Sequence, residues 1–178
     1  MTSVTEKFSV WLSPQAPDYA DLADIITGLN ERYGTSTFEP HLTLYSGVCH
    51  EREILQRAVA EELTAVKPIA LRIAGIHASE EFFKTLFIEF EESPQLSELN
   101  KKIKSALQQD SGYILKPHLS LLYQDLDLAR KWEIARTINI EKTQLIFDEI
   151  KLVAPGNEAL DWRAVELWEV WFKRKLSS

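Results

Sequence analysis

The chain has 178 residues, 45% of them hydrophobic and 26% charged, enough for one compact domain or two small lobes sharing a core. A net charge of −7 argues against broad binding to a nucleic-acid backbone, which needs a basic face, while leaving room for a small anion held by local donors. The single cysteine, Cys49, excludes an intrachain disulfide and fits a reducing compartment. Met1 to Trp11 lacks the apolar core of a signal peptide, and no apolar run is long enough to span a bilayer. The expectation is a soluble cytoplasmic protein, and a monomer.

Phe8 to Leu12 reads as a first strand, stopped at Ser13-Pro14. Asp18 is placed to cap a helix running to about Tyr33, with Leu22, Ile25, Ile26 and Leu29 as its apolar stripe and Gly34 at its end. A strand from Pro40 to Tyr45 follows. Then comes a helix from about Arg52 to Thr64, with Ile54, Leu55, Ala58, Val59 and Leu63 inward. Ile69, Leu71 and Ile73 alternate with Ala70, Arg72 and Ala74 along a strand toward Ile76. After the turn at Ser79-Glu80-Glu81, Phe82 to Phe90 reads as a strand. Ser93-Pro94 starts a helix lined by Leu96, Leu99, Ile103 and Leu107, with Gly112 past its end. A strand from Pro117 to Tyr123 precedes a helix capped by Asp127 and running to about Ile138, with Leu128, Trp132, Ala135 and Ile138 inward. Two strands close the chain, Gln144 to Val153 and Ala164 to Phe172, broken at Pro155-Gly156-Asn157.

Within this series one string occurs twice: Pro40-His41-Leu42-Thr43-Leu44 and Pro117-His118-Leu119-Ser120-Leu121. The histidines lie 77 positions apart, and the same shift lays the first two helices and the third strand on their later counterparts. The chain is therefore a duplicated β-α-β-α-β unit with one extra strand. In a strand, side chains two apart share a face. His41 and Thr43 share one face, as do His118 and Ser120. Duplicated units usually pack about a pseudo-two-fold axis, and such packing is expected to turn the two histidine faces toward each other across a cleft.

That arrangement suits acid-base chemistry on a phosphate. Histidine titrates near neutral pH and serves as base or acid, and each such role is worth about 10²–10⁴-fold in rate. Thr43 and Ser120 supply hydrogen-bond donors to an anion between the rings. On a strained cyclic phosphate, one histidine activates water, the other protonates the departing ribose oxygen, and the hydroxyls stabilise charge on the phosphorus oxygens.

Paired His-x-Thr/Ser-x motifs in a duplicated chain resemble the signature of the two-histidine (2H) phosphoesterase superfamily. The resemblance is to its cyclic nucleotide phosphodiesterase branch in particular, the plant and yeast enzymes acting on ADP-ribose 1″,2″-cyclic phosphate. Phe8-Ser9-Val10-Trp11 resembles that branch's opening strand, whose tryptophan helps form the nucleoside pocket, and Phe82-Phe83 an aromatic pair in its middle strand. His118 to Tyr123 resembles its second motif and the tyrosine that follows, and Leu167-Trp168-Glu169 a stretch of its last strand. The resemblance implies a bilobal α+β fold with antiparallel sheets facing a central cleft, and no cofactor or metal. It implies hydrolysis of small cyclic phosphodiesters, ADP-ribose 1″,2″-cyclic phosphate or nucleoside 2′,3′-cyclic phosphates, the latter opened to 2′-phosphates. It makes His41 and His118 catalytic and Thr43 and Ser120 phosphate-binding, with Trp11, Phe83 and Tyr123 as substrate contacts. His118 is read as base and His41 as acid, although the two motifs are too alike to be told apart. The plant enzymes use disulfides; this chain has no cysteine pair.

Plainer readings stand beside these. One His-x-Thr alone is more often structural than catalytic; two copies with matching flanks reverse that. Aromatics on alternating strands are more often core than ligand platforms. Trp168 and Trp171 fall on opposite faces of the last strand, with at least one expected in the core. His50 and His77 read as solvated or structural, and Cys49-His50 is too short a cluster for zinc. Arg72 and Lys84 are cations within conceivable reach of a phosphate. The competing functions are an RNA 2′,3′-cyclic phosphodiesterase, a non-catalytic nucleotide-binding module and, last, a two-histidine metal site. The expected partner is a small cyclic nucleotide, with no long nucleic acid and no membrane.

Overall fold

A computed structural model describes residues 6–108, 111–156 and 163–177. Seven strands and four helices alternate: β1 (Glu6–Pro14), α1 (Ala16–Tyr33), β2 (Leu42–Cys49), α2 (Arg52–Glu62), β3 (Ile69–Ala78), β4 (Leu86–Phe90), α3 (Pro94–Leu107), β5 (His118–Leu122), α4 (Leu128–Ala135), β6 (Gln144–Pro155) and β7 (Trp168–Lys175). Every strand pairing is antiparallel. The order is β1-β2-β5-β4-β3-β6-β7, and a further β1–β6 pairing closes the first six strands into a ring.

The ring carries the duplication. Exchanging β1 with β4, β2 with β5 and β3 with β6 maps every pairing of the ring onto another or onto itself. The two expected sheets are thus one hydrogen-bonded system. β6 is long enough to serve both: its start pairs with β3 and its remainder with β1. On the opposite side β2 and β5 meet at one bridge, Leu42↔Leu119, residues that are themselves 77 apart. The pseudo-axis passes between them, one residue from each histidine. β7 extends the sheet beside β6 and has no counterpart in the other half.

The helices cross between the halves. α1 packs on β5, and α3 packs on β2. Asn30 of α1 donates to the Leu121 carbonyl at 3.4 Å, and Asn100 of α3 donates to the equivalent carbonyl of Leu44 at 2.6 Å. Each histidine strand is therefore braced by the other half's helix. Leu96, Leu99 and Ile103 bury the inner stripe of α3, each contributing about 1.5–3 kcal/mol of apolar burial. Ser93 caps α3 by accepting from the Leu96 amide at 3.3 Å, and Asp127 caps α4 by accepting from Arg130 at 2.9 Å. Gly34 ends α1 in the left-handed conformation that glycine adopts without strain.

Several expectations shift. Asp18 does not cap α1: the helix begins at Ala16, and Asp18 is buried, accepting from Lys142 at 2.7 Å and from the Ile146 amide at 2.9 Å. It ties the helix to β6. Ile54 and Leu128, expected inward, are 59% and 40% exposed, because each lies in a first helical turn that the core does not reach. Phe82–Lys84 forms a 3-10 turn instead of strand; the buried Thr85 hydroxyl clamps it, lying 2.9 Å from the Phe82 carbonyl and 3.0 Å from that of Gln124. A second 3-10 turn, Val165–Leu167, precedes β7, which starts at Trp168 instead of Ala164. Asn157 of the expected break lies outside the described residues. No described helix is long and apolar enough to cross a membrane.

Candidate active site

A cleft of about 600 Å³ opens between the two halves of the ring, and its lining includes Trp11, His41, Thr43, Phe83, His118, Ser120 and Tyr123. All seven residues singled out from the sequence thus gather in one cavity. Proline sits just before each histidine, and the chain joins its strand only at Leu42 in one half and at His118 in the other. Both rings are tethered alike. His41 Nδ1 lies 2.7 Å from the carbonyl of Glu39, and His118 Nδ1 lies 2.7 Å from the carbonyl of Lys116. A carbonyl only accepts, so each Nδ1 carries the hydrogen and each Nε2 stays outside that tether.

The two sites differ in burial. His41 is 7% exposed, whereas His118 is half-buried. Burial, with the charges of His118 and Lys151 adding to it, lowers the His41 pKa to about 4, against the opposing hydrogen bond that the ring donates to the Glu39 carbonyl. Burial also lowers His118, helped by Lys84 and Lys116 and opposed by its own carbonyl tether and by Glu81. Behind His41, the nearly buried Lys151 pairs with the Glu39 carboxylate and lies 3.8 Å from Glu149. Glu39 is thereby held by its side chain while its carbonyl holds the imidazole.

Trp11 lies against His41, with ring centroids 3.7 Å apart and planes inclined by 12°. Its neighbour Trp168 stacks at 5.7 Å. Trp11 is only 5% exposed, so its ring is spent on positioning His41 and little of it faces the cavity. Across the axis Phe87, opposite Ser120 in the β4–β5 register, meets His118 edge-on at 5.6 Å. Tyr123 stacks on Phe38 at 4.1 Å and meets Phe83 edge-on at 5.3 Å. Burial raises the Tyr123 phenol, and a hydrogen bond with Ser120 opposes the rise.

The hydroxyls are not equivalent. Among the described residues the Thr43 side chain has no hydrogen-bond partner, and its backbone carbonyl accepts from Tyr113 at 2.9 Å. Ser120 is 4% exposed and donates to the Phe83 carbonyl at 2.6 Å. A hydroxyl has one proton, so Ser120 can donate to a ligand only by releasing Phe83.

Phe38, Phe87, Tyr113, Lys151 and the indole of Trp168 are site residues that the sequence reading missed. Phe87 was not legible from the sequence, because the β4–β5 register slips between Leu86 and Phe87. Trp171 faces away from the cleft, with the Arg52 guanidinium 4.8 Å from its ring. His77 pairs with Glu89 at 3.3 Å outside the cleft, and Arg72 pairs with Glu91 at 3.5 Å. Among the described residues, no group of three or more His, Cys, Asp or Glu side chains is gathered as a metal site.

A family model described as cyclic phosphodiesterase-like protein matches residues 7–171. The chain belongs to this cyclic phosphodiesterase-like family. It is an enzyme of the cyclic phosphodiesterase class and a 2H phosphoesterase, as the paired motifs implied. A cyclic phosphodiesterase of Arabidopsis thaliana is 21% identical over 165 residues, covering 91% of each chain. The fold is shared with Escherichia coli LigT in complex with 3′-AMP, at a TM-score of 0.63 and 12% identity over 98% of this chain and all of that one. It is also shared with Usb1 of Kluyveromyces marxianus, at a TM-score of 0.52 and 10% identity over 96% and 98% of the two chains. The family match covers both histidine motifs and nearly all of the ring, so family and cleft describe one unit.

Proposed function

We propose that this family member hydrolyses small cyclic phosphodiesters in the cleft without a metal ion. The substrates are nucleoside 2′,3′-cyclic phosphates, opened to 2′-phosphates, or ADP-ribose 1″,2″-cyclic phosphate. One observation carries the reading: His41 and His118 line one cavity with the same Nδ1 tether, each presenting Nε2. One takes a proton while the other gives one, as in-line attack on a phosphate requires. Both come from a single chain, so one copy suffices.

The burial asymmetry supports one division of the roles. His41, buried and lowered to about 4, is the neutral base that takes a proton from water as it attacks phosphorus. His118, the more exposed of the two, is the acid that delivers a proton to the departing ribose oxygen. This reverses the sequence expectation. The bound phosphate's negative charge raises both histidines and supplies the protonated form of His118. Thr43, whose hydroxyl is uncommitted, and Ser120, once it turns from Phe83, donate to the non-bridging oxygens.

The test is a substrate panel with product analysis: ADP-ribose 1″,2″-cyclic phosphate, the four nucleoside 2′,3′-cyclic phosphates and an RNA with a cyclic end. Turnover of the small substrates to phosphomonoesters is expected. Turnover of the RNA alone transfers the reading to RNA ends. No turnover across the panel leaves a binding module.

A further inference from the structure

The duplication places a second pair of residues that neither motif contains. Lys7 and Lys84 are also 77 positions apart, and both line the cleft. Among the described residues, and apart from the histidines, the charged side chains lining it are these two lysines and Glu81, two cations to one anion within a chain of net charge −7. The two lysines stand at different depths. Lys84 is in the 3-10 turn before β4, with its ammonium 4.9 Å from the Phe87 ring, and that ring abuts His118. Lys7 is near the start of β1, opposite Val48, and Trp11 follows four residues later, just past an irregularity at Val10 and Trp11. Four strand residues span about 13 Å. Trp11 is the residue stacked on His41, so Lys7 stands well away from a phosphate held between the histidines. The separation is on the scale of one nucleoside. Between them the β1–β2 wall offers small polar groups, Ser9 and Ser46, joined by a 2.6 Å hydrogen bond.

We infer that Lys7 is a specificity-determining contact for a second anionic group of the substrate, one nucleoside away from the cyclic phosphate. Lys84 stands beside the first phosphate. The substrate class is then a nucleotide with phosphate at two positions. A nucleoside 2′,3′-cyclic phosphate with a free 5′-hydroxyl leaves Lys7 unused. The inference rests on the proposed reaction only for the placement of the first phosphate.

Binding of product-like ligands tests it without requiring turnover. Dissociation constants of adenosine 2′-phosphate and adenosine 2′,5′-bisphosphate are measured by calorimetry at low and moderate salt. A partly exposed ion pair is worth about a five-fold gain at low salt, shrinking as salt is added. The bisphosphate should bind tighter by that factor. Lys7→Met should abolish the advantage, and Lys7→Arg should retain it. An oligoribonucleotide ending in the same phosphate separates the two sources of a second phosphate. If it binds tighter than the bisphosphate, with a steeper salt dependence, the second group is the next phosphate of an RNA; otherwise it belongs to a small nucleotide. Equal affinity for the two adenosine ligands, or an advantage that survives Lys7→Met, overturns the inference. The hydrolase reading stands or falls separately, on the substrate panel.

Discussion

Acid should unmask the cost of keeping His41 neutral. In the unfolded chain an imidazole protonates near pH 6.5, whereas in the fold His41 resists protonation until about pH 4. Between those values the unfolded state binds the extra proton, so stability rises with pH across that window. The stability tied to this group is fully present above pH 6.5, declines as pH falls toward 4 and is level below. The difference amounts to about 3 kcal/mol, a large share of the roughly 5–15 kcal/mol that holds a typical domain together. Urea titrations at pH 7, 5.5 and 4.5 give the measurement, followed by fluorescence of the five tryptophans. His41→Gln keeps a polar side chain that does not titrate, and its unfolding midpoint should fall much less on acidification. His118, lowered in the same direction, contributes to the slope that remains. Inorganic phosphate should restore stability at pH 5 more than at pH 7, because an anion between the rings favours their charged forms. The same acid sensitivity in wild type and His41→Gln would refute the account of His41 as a buried neutral base.

Other consequences follow from the same geometry. Thr43→Val removes a hydroxyl with no other partner and should lower kcat about 10²-fold, while Thr43→Ser retains most activity in the same steady-state assay. Trp11→Ala should cost about 3–5 kcal/mol in urea unfolding. By uncovering His41 it should also move the acid limb of the kcat/KM profile to higher pH; an unmoved limb would deny Trp11 its positioning role. Asp18→Ala strands the Ile146 amide, while Lys142 keeps Asp21, and should destabilise by about 1–3 kcal/mol, with Asp18→Asn intermediate and activity at neutral pH preserved in both. Chelator should leave turnover intact, and inhibition reversed by zinc or magnesium would point to metal chemistry.

The features legible in the sequence are those written locally or by repetition. The 77-residue interval foretold the equivalence of the ring strands, and the proline-histidine strings foretold that two histidines would meet in one cleft. Ser93, Asp127 and Gly34 are local signals, and each acts at its helix end. What escaped depends on distant partners. Asp18 looks like a cap because capping is a short-range rule, but its carboxylate is taken by Lys142 and β6. Alternation places Trp11 on the cleft face without revealing that His41 lies against its ring. Phe87 was hidden by a bulge that shifts parity, since period-two reasoning fails wherever a residue is inserted. Trp168 reaches the cavity from β7, the one strand outside the duplication, so no repeat could announce it.

The central claim is that His41 and His118 act on one phosphate from opposite sides. Its most direct measurement is kcat/KM for adenosine 2′,3′-cyclic phosphate in His41→Ala, His118→Ala and the double variant, each with folding checked by unfolding midpoint. Each single substitution should cost at least about 10²-fold, and the double variant should lose little more than the worse single, since the two act in one step. Near-wild-type turnover in either single variant would contradict the account.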